Sequence, residues 1–180
     1  MSKNKKKQHS LSPTIPGLSV DVGRFMSDLE KETDRGAALV AAAFIDDVLK
    51  SMLIAKFVDR PKNVKQFLEY PRPLSTFSSR IELAYLLGLI GPKMYKGLKQ
   101  IQKIRNDFAH SHKSLSFEDV KVSKKCEELN LIDLSSLNLN PRNHFLNQSM
   151  ILADLLLVRG LSLKHFDVGK DFNLSKIISG

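Results

Sequence analysis

The chain carries one cysteine, Cys126, in 180 residues. A disulfide scaffold is therefore excluded, and a cysteine-rich zinc or iron–sulfur centre has no ligands to draw on. No uninterrupted apolar run approaches the roughly 20 residues that a membrane-spanning helix needs. The basic N-terminus leads into a Ser/Pro stretch rather than an apolar one, so it does not read as a secretion signal. Acidic side chains are the scarcer kind, 19 Asp+Glu against 28 Lys+Arg, giving a formal net charge of +9. With 42% hydrophobic residues, that balance excludes an acidic disordered region and a coiled-coil rod. A chain of this length suits one domain with tails and buries about two thirds of its unfolded surface, so neither disulfide nor metal is needed to hold it. The expectation is a soluble, cytoplasmic, basic globular domain that uses no metal and no cofactor.

Lys3, Lys5, Lys6 and Lys7 fall within the first ten residues, which contain no acid. Without these four the net charge would be +5, so nearly half of the basic excess sits at one end. Together with the breaker-rich SPTIPG that follows, residues 1–18 read as a disordered basic arm. Such an arm can hold RNA or DNA backbones non-specifically, with a grip that fades in salt, or simply keep the protein soluble.

The remainder patterns as helix. From Val20 to about Phe57, apolar residues recur in steps of three and four, with Gly36 as a candidate break. The small side chains of GAALVAAAF let another helix approach closely. A short helix is expected over Val64 to Glu69. Ser75 or Thr76 can cap a helix containing Phe77, Ile81, Ala84 and Tyr85, which a turn at Gly88–Gly91 ends. Pro92 opens the next helix, to about Ala109, with Leu98, Ile101, Ile104 and Phe108 as its apolar line. Ser116 can cap a further helix, and a last one is expected over Asn143 to Val158, stopped by Gly160. The fold expected is all-α, a single bundle of about five main helices over residues 19–160, followed by a C-terminal tail, 161–180, docked or disordered. A Gly-rich phosphate loop, a nucleotide fingerprint and a serine-hydrolase elbow are all missing. The best helix-turn-helix candidate, around Gly88–Gly91, leads into a helix with no clear base-reading face.

The sharpest polar signal is IRNDFAH, Ile104 to His110. Arg105 and His110 stand about 140° apart on an ideal helix, whereas Asn106 and His110 share a face. If the last turn loosens, or two chains meet there, Arg105 and His110 can converge. Histidine transfers protons near neutrality and arginine offers fixed donors to a phosphoryl group. His110 would then activate a ribose 2′-hydroxyl or protonate the leaving oxygen. Arg105 would stabilise the developing charge, and Asn106 would orient the phosphate or the imidazole. The packing alternative pairs Arg105 with Glu30 or Asp34 and holds the bundle in register. In that same acidic and basic cluster, EKETDRG, Arg35 is a candidate anion ligand. Arg80 and Glu82 are further pocket candidates. Asp46 and Asp47 make a poor metal site, His112 reads as a loop residue, and His9, His144 and His165 are too dispersed to suggest a site.

The ordered segments ETDRGAALVAAAFIDDVL, PLSTFSSRIELAYLLGLI and IRNDFAH resemble the mannitol operon repressor family over residues 22 to 130. The resemblance implies an all-helical bacterial transcription regulator that lacks a conventional DNA-binding domain and acts through a regulatory protein partner or through nucleic acid. IRNDFAH is also similar to the arginine–x4–histidine signature of HEPN domains. That similarity implies a homodimeric helical protein and, as the alternative function, metal-independent endoribonuclease activity on single-stranded RNA. Arg105 and His110 would then be catalytic and Asn106 supporting.

Overall fold

Thr33 divides the first apolar pattern in two. Its extended backbone ends one helix, and its side-chain oxygen accepts the Gly36 amide at 3.1 Å, an N-cap that starts the next. The computed structural model describes residues 22–169 and finds seven α-helices and one 3-10 turn there, with no strand among them. They are α1 (Val22–Lys31), α2 (Asp34–Lys56), α3 (Pro61–Leu68), α4 (Phe77–Leu86), α5 (Pro92–His110), α6 (Val120–Glu127) and α7 (Pro141–Leu161), with the 3-10 turn at Ser135–Leu137. The lysines of the basic arm, residues 1–18, and His9 lie outside the described residues, as does the end of the expected tail.

The all-α expectation holds, but the helix count rises from about five because Thr33 separates α1 from α2 and the short α3 is a complete helix. Gly36 is not the break; it lies in the first turn of α2. Thr76 rather than Ser75 caps α4. Gly88 takes φ +65°, the left-handed conformation glycine tolerates best, and lets the chain turn into Pro92. Ser116 does not cap α6. Its amide donates to Asp119 in a preceding turn, and Asp119 stands at the N-cap position. Gly160 does not stop α7 either: it is buried inside the final turn, and the helix runs on to Leu161.

At the centre, α2 buries Ala37, Ala38, Ala41, Ala42, Ile45, Val48, Leu49, Met52 and Leu53 and packs against α1, α4, α5 and, most extensively, α7. A chain of rings ties in the connection between α5 and α6. Phe117 lies 4.8 Å from Phe108 of α5 and 5.2 Å from Phe145 of α7, all three fully buried.

Polar side chains finish the ends of the elements. Arg142, in the first turn of α7, donates to the carbonyls of Leu29 at 3.0 Å, Glu30 at 3.3 Å and Glu32 at 2.5 Å, and to Asp34 at 2.5 Å. It thereby satisfies carbonyls at the end of α1 that have no partner within the helix. The other oxygen of Asp34 accepts the Phe117 amide at 3.0 Å. Buried Gln148 does the same for the loop before α7, accepting from the Leu131 amide and donating to the Ile132 carbonyl. At the far end of α2, the Phe166 amide donates to the Lys56 carbonyl at 2.8 Å, His165 bonds the Phe57 carbonyl, and the Lys56 ammonium sits 4.1 Å over the Phe166 ring.

Two outcomes follow. Arg142→Ala should lower unfolding free energy in urea by about 2–3 kcal/mol, since a partly buried carboxylate and several carbonyls lose their donor together. Arg142→Lys, with one compact ammonium, should recover only part. Burial, reinforced by Glu127 and Glu118, pushes the Cys126 thiol up to about 12. The native protein should therefore resist a thiol reagent at pH 8 and react fully once unfolded in urea.

Candidate functional site

The face of α5 turned away from the core follows directly from its sequence. Gly97, Leu98, Gln100, Ile101, Ile104 and Phe108 are buried. Steps of three and four on the opposite side then align Lys96, Lys99, Lys103, Asn106 and His110 as one outward ridge. Arg105 stands off this ridge, towards α2 and the start of α4. Arg105, Asn106 and His110 are all exposed.

Two clefts meet at Asn106. The first, of about 590 Å3, is lined among others by Asp46, Ser75, Thr76, Ser78, Arg105 and Asn106. The second, of about 720 Å3, is lined among others by Asn106, His110, Lys121, Lys124 and Lys125. Arg105 donates to the Asn106 side-chain oxygen at 3.0 Å. Within one protomer Arg105 and His110 therefore open onto different clefts, and Asn106 is the residue common to both.

The supporting candidates have other occupations. Asp34 pairs with Arg142 rather than Arg105. Glu30 is exposed and gives only its backbone carbonyl to Arg142. Arg105 makes no ion pair among the described residues, so the expected register-setting pair does not form. The reason is geometric: Arg142 enters from α7 and reaches the α1–α2 junction first. Arg35 is not placed as an anion ligand, because it donates to the carbonyls of Ser111 at 2.6 Å and Lys113 at 3.3 Å and pins the loop after α5. Arg80 is buried and engaged internally, donating twice to Asp46, at 2.7 and 2.5 Å, and to the Leu74 carbonyl at 2.6 Å. That pairing fixes α4 against α2 and shapes the wall of the first cleft. Glu82 accepts from Lys99 at 2.9 Å and from the Tyr95 hydroxyl. These donors, Lys99 foremost, hold its carboxyl below the usual range, while the same bond raises the Tyr95 hydroxyl. No set of three His, Cys, Asp or Glu side chains among the described residues is arranged to hold a metal.

Sequence reading missed the lysines of α6. Lys121 and Lys124 are exposed on the second cleft, and Lys125 beside them is paired with Asp107 of α5. Their spacing was visible in VKVSKKCEE, but nothing local showed that Phe117 would fold that helix against α5.

No helix among the described residues is long and apolar enough to cross a membrane. No curated protein sequence matches the chain. A chain in the crystal structure of the MtlR–HPr complex from Escherichia coli superposes on it with a TM-score of 0.53 at 20% identity, covering 78% of this chain and 95% of that one. The two share a fold. The family model described as mannitol repressor, MtlR, matches residues 28–165, a span that contains α2 to α7 entire and the end of α1. The chain belongs to the mannitol repressor family.

Proposed function

We propose that this protein is a transcriptional repressor that acts through a regulatory protein partner of the HPr kind. The family match over residues 28–165 carries the reading. The Escherichia coli structure that shares its fold was crystallised with HPr, which supports the choice of partner. The helices agree with a role that needs no reading head. Among the described residues, the turn that most resembles a helix-turn-helix, at Gly88–Gly91, leads into α5, whose inner face packs against α2 and α4. The first turns of α5, PKMYKGLK, hold no Arg, Asn or Gln to read base edges. A recognition helix must instead offer its first turns to a groove. Exposed apolar side chains give a protein partner something to cover: Leu86 is 80% exposed and Val158 61%.

A second reading, metal-independent cleavage of RNA, draws on the exposure of Arg105, Asn106 and His110 at the end of α5. It needs a homodimer, because only a second copy would bring a His110 opposite an Arg105 that faces another cleft.

Titration of the full chain with HPr, from Escherichia coli and from the same genome as this chain, should give saturable heat with a dissociation constant below about 100 µM. No heat and no co-elution with either protein would overturn the partner reading. Incubation with single-stranded RNA in EDTA should leave the RNA intact. Cleavage that is lost in folded His110→Ala and Arg105→Ala would instead establish the ribonuclease.

A further inference from the structure

The described residues carry their positive charge unevenly. Between Lys93 and Lys125 stand nine Lys and Arg against three Asp and Glu, while the rest of residues 22–169 holds thirteen against fourteen. The excess is confined to α5, α6 and the loop between them. Lys93, Lys96, Lys103, Lys121 and Lys124 are exposed, and none of their ammonium groups makes an ion pair or hydrogen bond among the described residues. Of their neighbours, Lys99 is paired with Glu82 and Lys125 with Asp107.

We propose that the outward ridge of α5, Lys96 to His110, extended by Lys121 and Lys124 of α6, binds the phosphate backbone of duplex DNA directly and without reading its sequence. The ridge is about 21 Å long at 1.5 Å per residue, roughly six base pairs of duplex axis. Lysine suits this partner because it is a strongly hydrated point charge that meets phosphates one at a time. A protein partner is the poorer fit, since lysine is depleted at protein–protein interfaces. Single-stranded nucleic acid is poorer too. Its binders offer large aromatic faces to unstacked bases, and this ridge has no Phe, Tyr or Trp. The nearest rings, Tyr85 and Tyr95, are stacked on each other at 4.4 Å, and the Tyr95 hydroxyl is committed to Glu82. Base readout needs forked donors in a groove, but Asn106 is engaged by Arg105. The surface therefore contributes affinity, and any choice of operator comes from elsewhere. This inference is separate from HPr binding, and either can fail alone.

The test is fluorescence anisotropy of a labelled 25-base-pair duplex of arbitrary sequence, titrated with the full chain at 30 to 200 mM KCl. Lys96→Ala/Lys103→Ala/Lys121→Ala should weaken binding at least tenfold at the lowest salt. It should also flatten the log–log salt dependence by about 3, close to one for each phosphate left without its lysine. Lys50→Ala/Lys62→Ala/Lys65→Ala, which removes equal charge elsewhere, should stay within about twofold of the unaltered chain. Changing Lys3, Lys5, Lys6 and Lys7 to serine should leave the tenfold ridge effect in place. Circular dichroism and melting temperature of each variant verify folding, which exposed lysines should not alter. The proposal is overturned if the unaltered chain fails to bind duplex at 30 mM KCl. Equal losses in the two triple variants would overturn it as an effect of net charge alone, and a loss confined to the arm variant would do the same. So would tighter, ridge-dependent binding to single-stranded RNA than to duplex, or a ridge variant that loses HPr but keeps DNA.

Discussion

The guanidinium of Arg142 is the constraint on which much of this arrangement depends. Only 19% of that side chain is exposed, and a cation so placed must find partners for its donors or suffer a heavy desolvation penalty. It finds them in three carbonyls around the end of α1 and in Asp34 at the start of α2. Asp34 in turn takes the Phe117 amide. One side chain from the beginning of α7 thus fixes the angle between α1 and α2 and the entry of the segment that leads to α6. With Phe117 seated between Phe108 and Phe145, α6 has one place to lie, beside the end of α5. The cleft shared by His110, Lys121 and Lys124 exists because of that sequence of fixings.

A similar logic operates on α4. Asp46 of α2 takes two donors from Arg80, whose third donor reaches Leu74 in the connection before α4. Because Arg80 is engaged in this way, the Asp46 carboxylate on the wall of the Arg105 cleft is already paired and the charge near it is balanced. Arg105 itself makes no ion pair among the described residues and donates to the Asn106 side chain. The chemistry at the surface of α5 is therefore set by which arginines the core has already engaged.

The family and the helical class were legible because they are written locally. Pro92 and the line from Leu98 to Phe108 define α5 almost to the residue, and Thr76 marks the start of α4. Boundaries failed where one local signal outweighed another. The apolar patterns on either side of EKETDRG read as one helix although residues 30–36 hold no apolar side chain, so the cap at Thr33 is missed. Gly160 reads as a helix end although α7 carries through it to Leu161. At the site, the exposure of Arg105, Asn106 and His110 followed from their positions on α5. The partnership of Asp34 with Arg142 did not, because 108 residues separate them and no spacing rule connects side chains across such a distance. The same holds for the α6 lysines, whose meaning depends on a helix neighbour that only tertiary packing supplies.

The two ends of α2 are both completed by residues from the last quarter of the chain. Arg142 closes its start, and Phe166 and His165 close its finish, each from more than a hundred residues away. During synthesis, α2 leaves the ribosome early with its own Thr33 cap but cannot be covered by α7 until nearly the whole polypeptide has been made. At roughly 5–20 residues per second, its alanine-lined face waits several seconds without its principal neighbour. Completion of the core is consequently late, because its most extensive helix pair, α2 with α7, joins segments about a hundred residues apart. A nascent chain interrupted before Pro141 would leave uncovered the face of α2 that α7 occupies, a natural object for chaperones and proteases.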